Sequence, residues 1–199
     1  QRLFANAERH RDNPEFQRDM LKTVEHVANR MHQLILQLKP EASARDRAHP
    51  VDVGAIVRRV QALWLGGQTG LATDAPNGVL AWAHDDLLER VIAHLVQNGF
   101  DASDGAQDVR VRVEAIGDEV LVEVSDRGKG MTSEFMRDRL FKPFQTTKAN
   151  GMGIGVYECG QYVQQVGGRI DVQSAPGEGT RVRIHLRAVR PAQAELGAA

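Results

Sequence analysis

The sequence predicts an α+β protein: a two-layer α/β sandwich, preceded by part of a helical hairpin of the kind that builds a four-helix bundle. Three observations predict it. An apolar stripe with helical period runs through the first forty residues. Beyond a proline-containing stretch the pattern alternates between helix and strand signals, and two pairs of strands are close enough in sequence to form hairpins. The composition, 42% hydrophobic and 26% charged, is that of an ordinary folded domain.

The elements follow in chain order. Asp12-Asn13-Pro14 supplies a cap and a first-turn proline, so a second helix is expected to start there after a first one ending near Arg11. Phe16, Met20, Val24, Val27, Met31, Leu34 and Leu38 recur at spacings of 4, 4, 3, 4, 3 and 4, an apolar seam roughly 35 Å long at 1.5 Å per residue. Two such helices expose that seam unless a partner covers it, and pairing of two copies into a four-helix bundle is the economical solution. Residues 1–39 are therefore assigned to a dimerisation hairpin. Lys39–Pro50 holds two prolines, five charges and no apolar period, and residues 40–50 are expected to be a linker.

A domain over residues 51–187 is expected to follow. Its helices are predicted near Val53–Leu65, at Asp85–Ala102 and near Ile154–Val166. Its strands are predicted near Val79–Ala83, at Val109–Ala115, Val120–Ser125, Arg169–Gln173 and Arg181–Arg187. Residues 188–199 are small and polar and are expected to form a flexible tail.

Lys and Arg number 25 against 26 Asp and Glu, and with a net charge of -1 there is no global attraction to polyanions. Arginines and lysines are scattered without aromatic interleaving, so nucleic acid is not expected as a partner. Cys159 is the only cysteine, which excludes an intramolecular disulfide and points to a reducing, cytoplasmic location. No apolar run reaches the roughly 18–20 residues of a membrane span. The chain opens at Gln1 inside what reads as a helix, so a longer protein is expected, with room for a membrane anchor outside this segment.

Four clusters carry candidate chemistry. On the predicted Asp85–Ala102 helix, Val91, Leu95, Asn98 and Ala102 share one stripe, so an amide interrupts an apolar face. Asn98 either bonds local backbone or offers a hard oxygen to Mg²⁺; His94, one turn earlier, faces the same side. The strand Val120–Ser125 runs into Asp126-Arg127-Gly128-Lys129-Gly130-Met131. A carboxylate there can accept from the exocyclic amine of adenine, and glycines let backbone approach a flat base.

Phe141-Lys142-Pro143-Phe144 then leads through Thr147 and Lys148 into Gly151-Met152-Gly153-Ile154-Gly155, directly ahead of a helix. Such a turn offers free N–H groups and a positive dipole end to phosphate, with Lys148 as a mobile charge for the terminal one. No strand immediately precedes the glycines, so this is not a Rossmann fingerprint, and it lacks the Gly-Lys-Ser/Thr of a Walker A loop. The fourth cluster is Gly177-Glu178-Gly179-Thr180 in the last hairpin turn. Cys159, Trp64 and Trp82 read as packing residues.

In this order the clusters resemble the N, G1, F, G2 and G3 boxes of the sensor histidine kinase ATPase domain, whose Bergerat ATP-binding (GHKL) fold is shared with gyrase, the Hsp90 chaperones and MutL. The resemblance covers about residues 50–187, and the run from Asn6 to Leu38 looks closest to the kinases of exosortase (PEP-CTERM) systems. It implies ATP and Mg²⁺ as cofactors and a response regulator receiver domain as partner. It places Asn98 on the metal, Asp126 on adenine with Thr180 behind it, and an ATP lid over residues 127–152. The implied cofactor contacts are Asn98, Asp101, Asp126, Gly128, Gly130, Met131, Thr147, Lys148, Gly151, Met152, Gly153, Ile154, Gly155 and Thr180, with Lys148 and His94 in catalytic roles.

Two departures matter. Gyrase-type ATPases carry a glutamate as general base four residues before the metal-binding Asn, where this chain has His94; that favours transfer to a protein over hydrolysis. No His-acid pair suits the phosphoacceptor of the family: His84-Asp85 has the letters, but Asp85 reads as a helix cap, and His10, His26 and His32 are misplaced or lack a following acid. The acceptor histidine is expected before Gln1. A nucleotide-regulated binding module and an anti-sigma-type serine kinase are the alternatives.

Overall fold

The computed structural model describes residues 47–64, 70–103, 109–145 and 153–190, which, Arg47 apart, belong to a unit running from Ala48 to Ala199. The predicted hairpin over residues 1–39 lies outside the described residues.

Strand β1 (His49–Asp52) leads directly into helix α1 (Val53–Trp64). Asp52 makes the join: one carboxylate oxygen accepts from Ala55 N at 3.0 Å, the other from Gly78 N at 3.0 Å. Burial alone would raise the pKa of Asp52, but these two N–H groups and the nearby Arg58 hold it below its ordinary value. Strand β1 pairs antiparallel with β3 (Leu80–Ala83) in a small two-stranded sheet. His49 and Pro50 were predicted as linker and stand in this strand, because its pairing partner lies some thirty residues downstream and local composition does not report it.

The main sheet has five strands in the order β2-β4-β5-β7-β6, with β2 at Ala72–Asp74, β4 at Arg110–Ile116, β5 at Glu119–Asp126, β6 at Arg169–Ala175 and β7 at Gly179–Arg187. It is mixed: β2 runs parallel to β4, while β4-β5, β5-β7 and β6-β7 are antiparallel. Helix α2 (Asp85–Ala102) and α4 (Gly155–Gln165) pack on one face with α1, and the short α3 (Ser133–Asp138) follows β5. Sequence reading missed β1, β2 and α3, elements of three to six residues whose periodicity is too short to stand out.

The strands show why one layer suffices. Val120, Val122 and Val124 of β5 are buried, as are Val111 and Val113 of β4 and Ile184 and Leu186 of β7. They meet Leu88, Val91, Ile92, Leu95 and Val96 of α2 in a single core. The intervening residues face away from the helices and pair across strands, with Glu123 in ion pairs to Arg181 and Arg183 and the His185 ring within 3.1–3.3 Å of Glu119 and Asp171 carboxylate oxygens. Trp64 stacks on Phe100 at 4.7 Å between ring centroids.

Two expectations are corrected. Asp85 is not the cap of α2: His84 occupies that position, without a side-chain cap bond, and Asp85 instead pairs with Arg59 and sits in the first turn, where its charge suits the helix dipole. The segment expected to be a flexible tail begins in ordered structure. Ala188 bridges Ala81, Val189 N donates to Leu80 O at 2.9 Å, and Arg190 pairs with Asp118 at 2.7 Å. Residues 191–199 lie outside the described set.

Candidate nucleotide site

Helix α2 and strand β5 end side by side because Gly99, immediately after Asn98, has no side chain. A Cβ there would stand 3.1–3.3 Å from the Val109 side chain and from Cβ of Asp126. This close approach sets Asn98 and Asp126 on the wall of one cavity of about 480 Å³. His94, Asp101, Gly130, Met131, Gly153, Ile154, Gly155 and Thr180 line the same cavity. Its apolar wall comes from Leu95, Val124, Ile170, Val172 and Val182, none of which the sequence singled out as a site residue. Only their alternation with charged neighbours on strands β5 to β7 hints that one end of the buried face opens.

The Asp126 end is densely bonded. Its Oδ1 accepts from Gly128 N at 2.8 Å and from Thr180 N at 3.2 Å. Burial raises the pKa of Asp126 above its ordinary 3.8, and these two N–H bonds oppose that shift. Lys129 N donates to Ala102 O at 3.0 Å, and Gly177 N donates to Lys129 O at 2.8 Å, so the loop after β5 is clamped between α2 and the β6-β7 turn.

Glycine is required at the contacts. A Cβ on Gly128 would lie 2.3 Å from Ala102 O, and one on Gly130, which has φ +64°, would lie 1.9 Å from Ala175 O. Gly128 thus shapes the loop from behind while Gly130 faces the cavity. Thr180 reaches Asp126 through its backbone N–H; its hydroxyl goes to Ser174 at 3.0 Å. Ser174 was not singled out from the sequence, where a lone serine in a strand carries no signal.

At the opposite end the first turn of α4 meets α2. A Cβ on Gly155 would lie 2.0 Å from two ring atoms of His94, so the bare glycine makes room for the imidazole beside the helix N-terminus. Tyr162, further along α4, donates its hydroxyl to His84 O at 3.3 Å and accepts from His84 N at 2.9 Å, fixing α4 against the start of α2. Gly153, at φ +66°, packs on the backbone of Phe144 and Gln145, and Phe144 itself adopts φ 63°, a strained conformation for an aromatic residue. Phe141 packs over Gly160 and lines the cavity. Thr147, Lys148, Gly151 and Met152 lie outside the described residues.

The residues fit an adenine nucleotide: a flat apolar slot, a half-buried carboxylate at one end, glycine-lined backbone, and a helix N-terminus at the other. Among the described residues there is no cluster of three metal-ligating side chains. A magnesium ion here would take one hard oxygen from Asn98 and the rest from phosphate and water. Cys159 is buried in α4, and burial pushes its thiol up to about 12, which disfavours the thiolate that a nucleophile needs.

Comparison with known proteins bears on the same region. Residues 83–190, just over half the chain, match the family described as histidine kinase-, DNA gyrase B-, and HSP90-like ATPase. The chain is 33% identical over 114 residues to the C4-dicarboxylate transport sensor protein DctB of Rhizobium meliloti, covering 56% of this chain and 18% of that protein. It is 39% identical over 105 residues to the sensor histidine kinase ZraS of Klebsiella oxytoca, covering 52% and 22%. The chain thus spans about a fifth of the length of these relatives. The fold matches a mycobacterial sensor histidine kinase, MprB, with a TM-score of 0.63 at 21% identity, over 71% of this chain and 97% of the other. The nucleotide-free catalytic domain of the histidine kinase ThkA matches with a TM-score of 0.62 at 21% identity, over 70% and 95%.

Proposed function

The chain belongs to the family of histidine kinase-, DNA gyrase B- and HSP90-like ATPases, and from that premise we propose that it is the ATP-binding catalytic part of a two-component sensor histidine kinase. The observation that carries the reading is the pairing, on one cavity wall, of the half-buried Asp126 carboxylate with Asn98, facing the N-terminus of α4. Asp126 holds the adenine amine, the clamped loop from Gly128 to Met131 supports the base, and Asn98 orients the metal. When bound, ATP supplies a γ-phosphoryl whose bond to the leaving ADP breaks as a P–N bond forms on a histidine nitrogen. His94 at the helix terminus is suited to orient that group, and Lys148 to neutralise its charge.

The acceptor histidine is placed upstream of Gln1, with a response regulator aspartate as the next recipient. Residues 1–39 are read as the C-terminal part of a dimerisation hairpin, making the protein a homodimer, and the residues from 40 up to strand β1 as the linker. This part is read as cytoplasmic; separately, no helix among the described residues is long and apolar enough to cross a membrane. The Asn6–Leu38 run supports assignment to the kinases of exosortase systems, which the neighbouring genes would test.

The decisive experiment incubates the chain with radiolabelled Mg-ATP, alone and as part of a longer protein carrying the preceding helix. The chain alone is expected to bind nucleotide without acquiring acid-labile, base-stable phosphate, and the longer protein to acquire it. Labelling of the chain itself would overturn the placement of the acceptor. Nucleotide binding without labelling of either protein would favour a regulated binding module, and acid-stable labelling of a serine the anti-sigma type of kinase.

A further inference from the structure

Ser174 is the hub of the base end. It lies in β6, in register with Thr180 of β7. Its Oγ accepts from Met131 N at 2.8 Å, donates to Gly179 O at 2.8 Å, and lies 3.0 Å from Oγ1 of Thr180. The donor and acceptor count settles which way the last bond runs. A serine hydroxyl has one hydrogen and two lone pairs. The hydrogen is committed to the Gly179 carbonyl, which can only accept, and one lone pair takes the Met131 N–H, which can only donate. The contact with Thr180 must then be made by the Thr180 hydroxyl donating to Ser174. This leaves Oγ1 of Thr180, on the cavity wall, with lone pairs alone to offer a ligand.

We propose that Ser174 is a positioning residue for base selection. By consuming the Thr180 hydrogen and anchoring the Met131 backbone, it leaves the side-chain oxygens of Asp126 and Thr180, which stand opposite each other in the β5-β7 register, as acceptors at the base end of the cavity. Such a surface takes a purine that presents an amino group at this edge and disfavours one that presents a carbonyl. The inference rests on the adenine-nucleotide reading above and adds to it the residue that sets the polarity of the pocket.

Calorimetric titration of the chain with ADP and with inosine diphosphate, which carries a carbonyl in place of the amine, tests it. The parent is expected to prefer ADP. In Ser174→Ala the Thr180 hydroxyl is released to turn its hydrogen to the ligand, so ADP affinity should fall about tenfold while inosine diphosphate changes by less than about twofold. Ser174→Thr, which keeps the hydroxyl, should restore the parental ratio. Should the alanine variant fail to fold, Ser174→Cys, with its weak donor and acceptor, gives the same readout. Thr180→Val and Ser174→Ala/Thr180→Val should share one ratio, because without the threonine hydroxyl the remaining bonds of Ser174, to Met131 N and Gly179 O, act on both nucleotides alike.

Equal weakening of both nucleotides by Ser174→Ala would mark a merely structural role and overturn the inference. A parent that binds neither nucleotide would instead overturn the adenine reading.

Discussion

At the base end of the cavity, Asp126, Ser174, Thr180 and the Gly128–Met131 loop hold one another through backbone N–H and carbonyl groups contributed by β5, β6, β7 and α2. At the other end, proposed for phosphate, Asn98 and His94 line the cavity from the single helix α2, and His94 abuts the first turn of α4. The first arrangement is preorganised: its polar groups have partners before any ligand arrives, and little has to be ordered on binding. The second rests on a helix terminus and on two side chains of one helix, Asn98 and His94, with no loop among the described residues clamped across them in the same way. Base recognition should therefore respond to small backbone disturbances, whereas phosphate and metal recognition should respond to the identity of single side chains.

The largest expected effect follows from the tightest glycine. Gly130→Ala adds a Cβ that would stand 1.9 Å from Ala175 O at a positive φ, a conformational and steric cost of roughly 2–5 kcal/mol. ADP binding measured by calorimetry should disappear, with a lowered Tm. Parental affinity in this variant would refute the clamped-loop account. Gly117, also at positive φ but with nothing within 4 Å of its added Cβ, is the control: Gly117→Ala should leave ADP affinity unchanged.

Next in size is Asp126→Asn, which places an amide opposite the adenine amine. A loss of about 1–3 kcal/mol, or roughly 5- to 150-fold in affinity, is expected. The same carboxylate sets a pH dependence. Burial raises its pKa above 3.8, so on acidification from neutrality it gains its proton earlier than an ordinary aspartate, and ADP affinity should begin to fall at a correspondingly higher pH. For folding the sign is opposite. A raised folded-state pKa contributes stability that is fully present below 3.8 and is lost as pH rises through the folded value. Titrating ADP affinity from pH 7 down to pH 4 in parent and Asp126→Asn checks this: protonation of the ADP phosphate weakens both, and the parent should show an additional acid-dependent loss that Asp126→Asn lacks.

The smallest effect belongs to the phosphate end. Asn98→Ala removes one oxygen of an octahedral set otherwise filled by phosphate and water. Affinity for ADP should fall about tenfold with Mg²⁺ present, near 1.4 kcal/mol, and by less than about twofold in a chelator. Equal losses in both conditions would mean that Asn98 serves the base end, and the two ends would no longer be separable.

Local pattern carried much of this protein. The bounds of α2, the β4-β5 hairpin and the alternation of Val120, Val122 and Val124 with polar residues are written within a few turns or a few strand residues, where periodicity of 3.6 or 2 reports burial directly. Asn98 and Asp126, which line one cavity, stood out in the sequence because an amide on an apolar stripe is an anomaly that needs a partner and because a carboxylate at a strand end precedes two glycines.

What tertiary structure alone decided joins distant segments. The parallel pairing of β2 with β4, the strand at His49–Asp52, and the ordering of Ala188–Arg190 by Leu80, Ala81 and Asp118 depend on partners with no periodic signature in sequence. The same holds within the site. Met131 meets Ser174 across 43 residues and Thr180 meets Asp126 across 54, and the direction of the Thr180 hydroxyl follows only once all three partners of Ser174 are in place. A hydrogen-bond donor count is a property of assembled neighbours, so a serine that looks unremarkable in the chain becomes the residue that sets the polarity of the pocket.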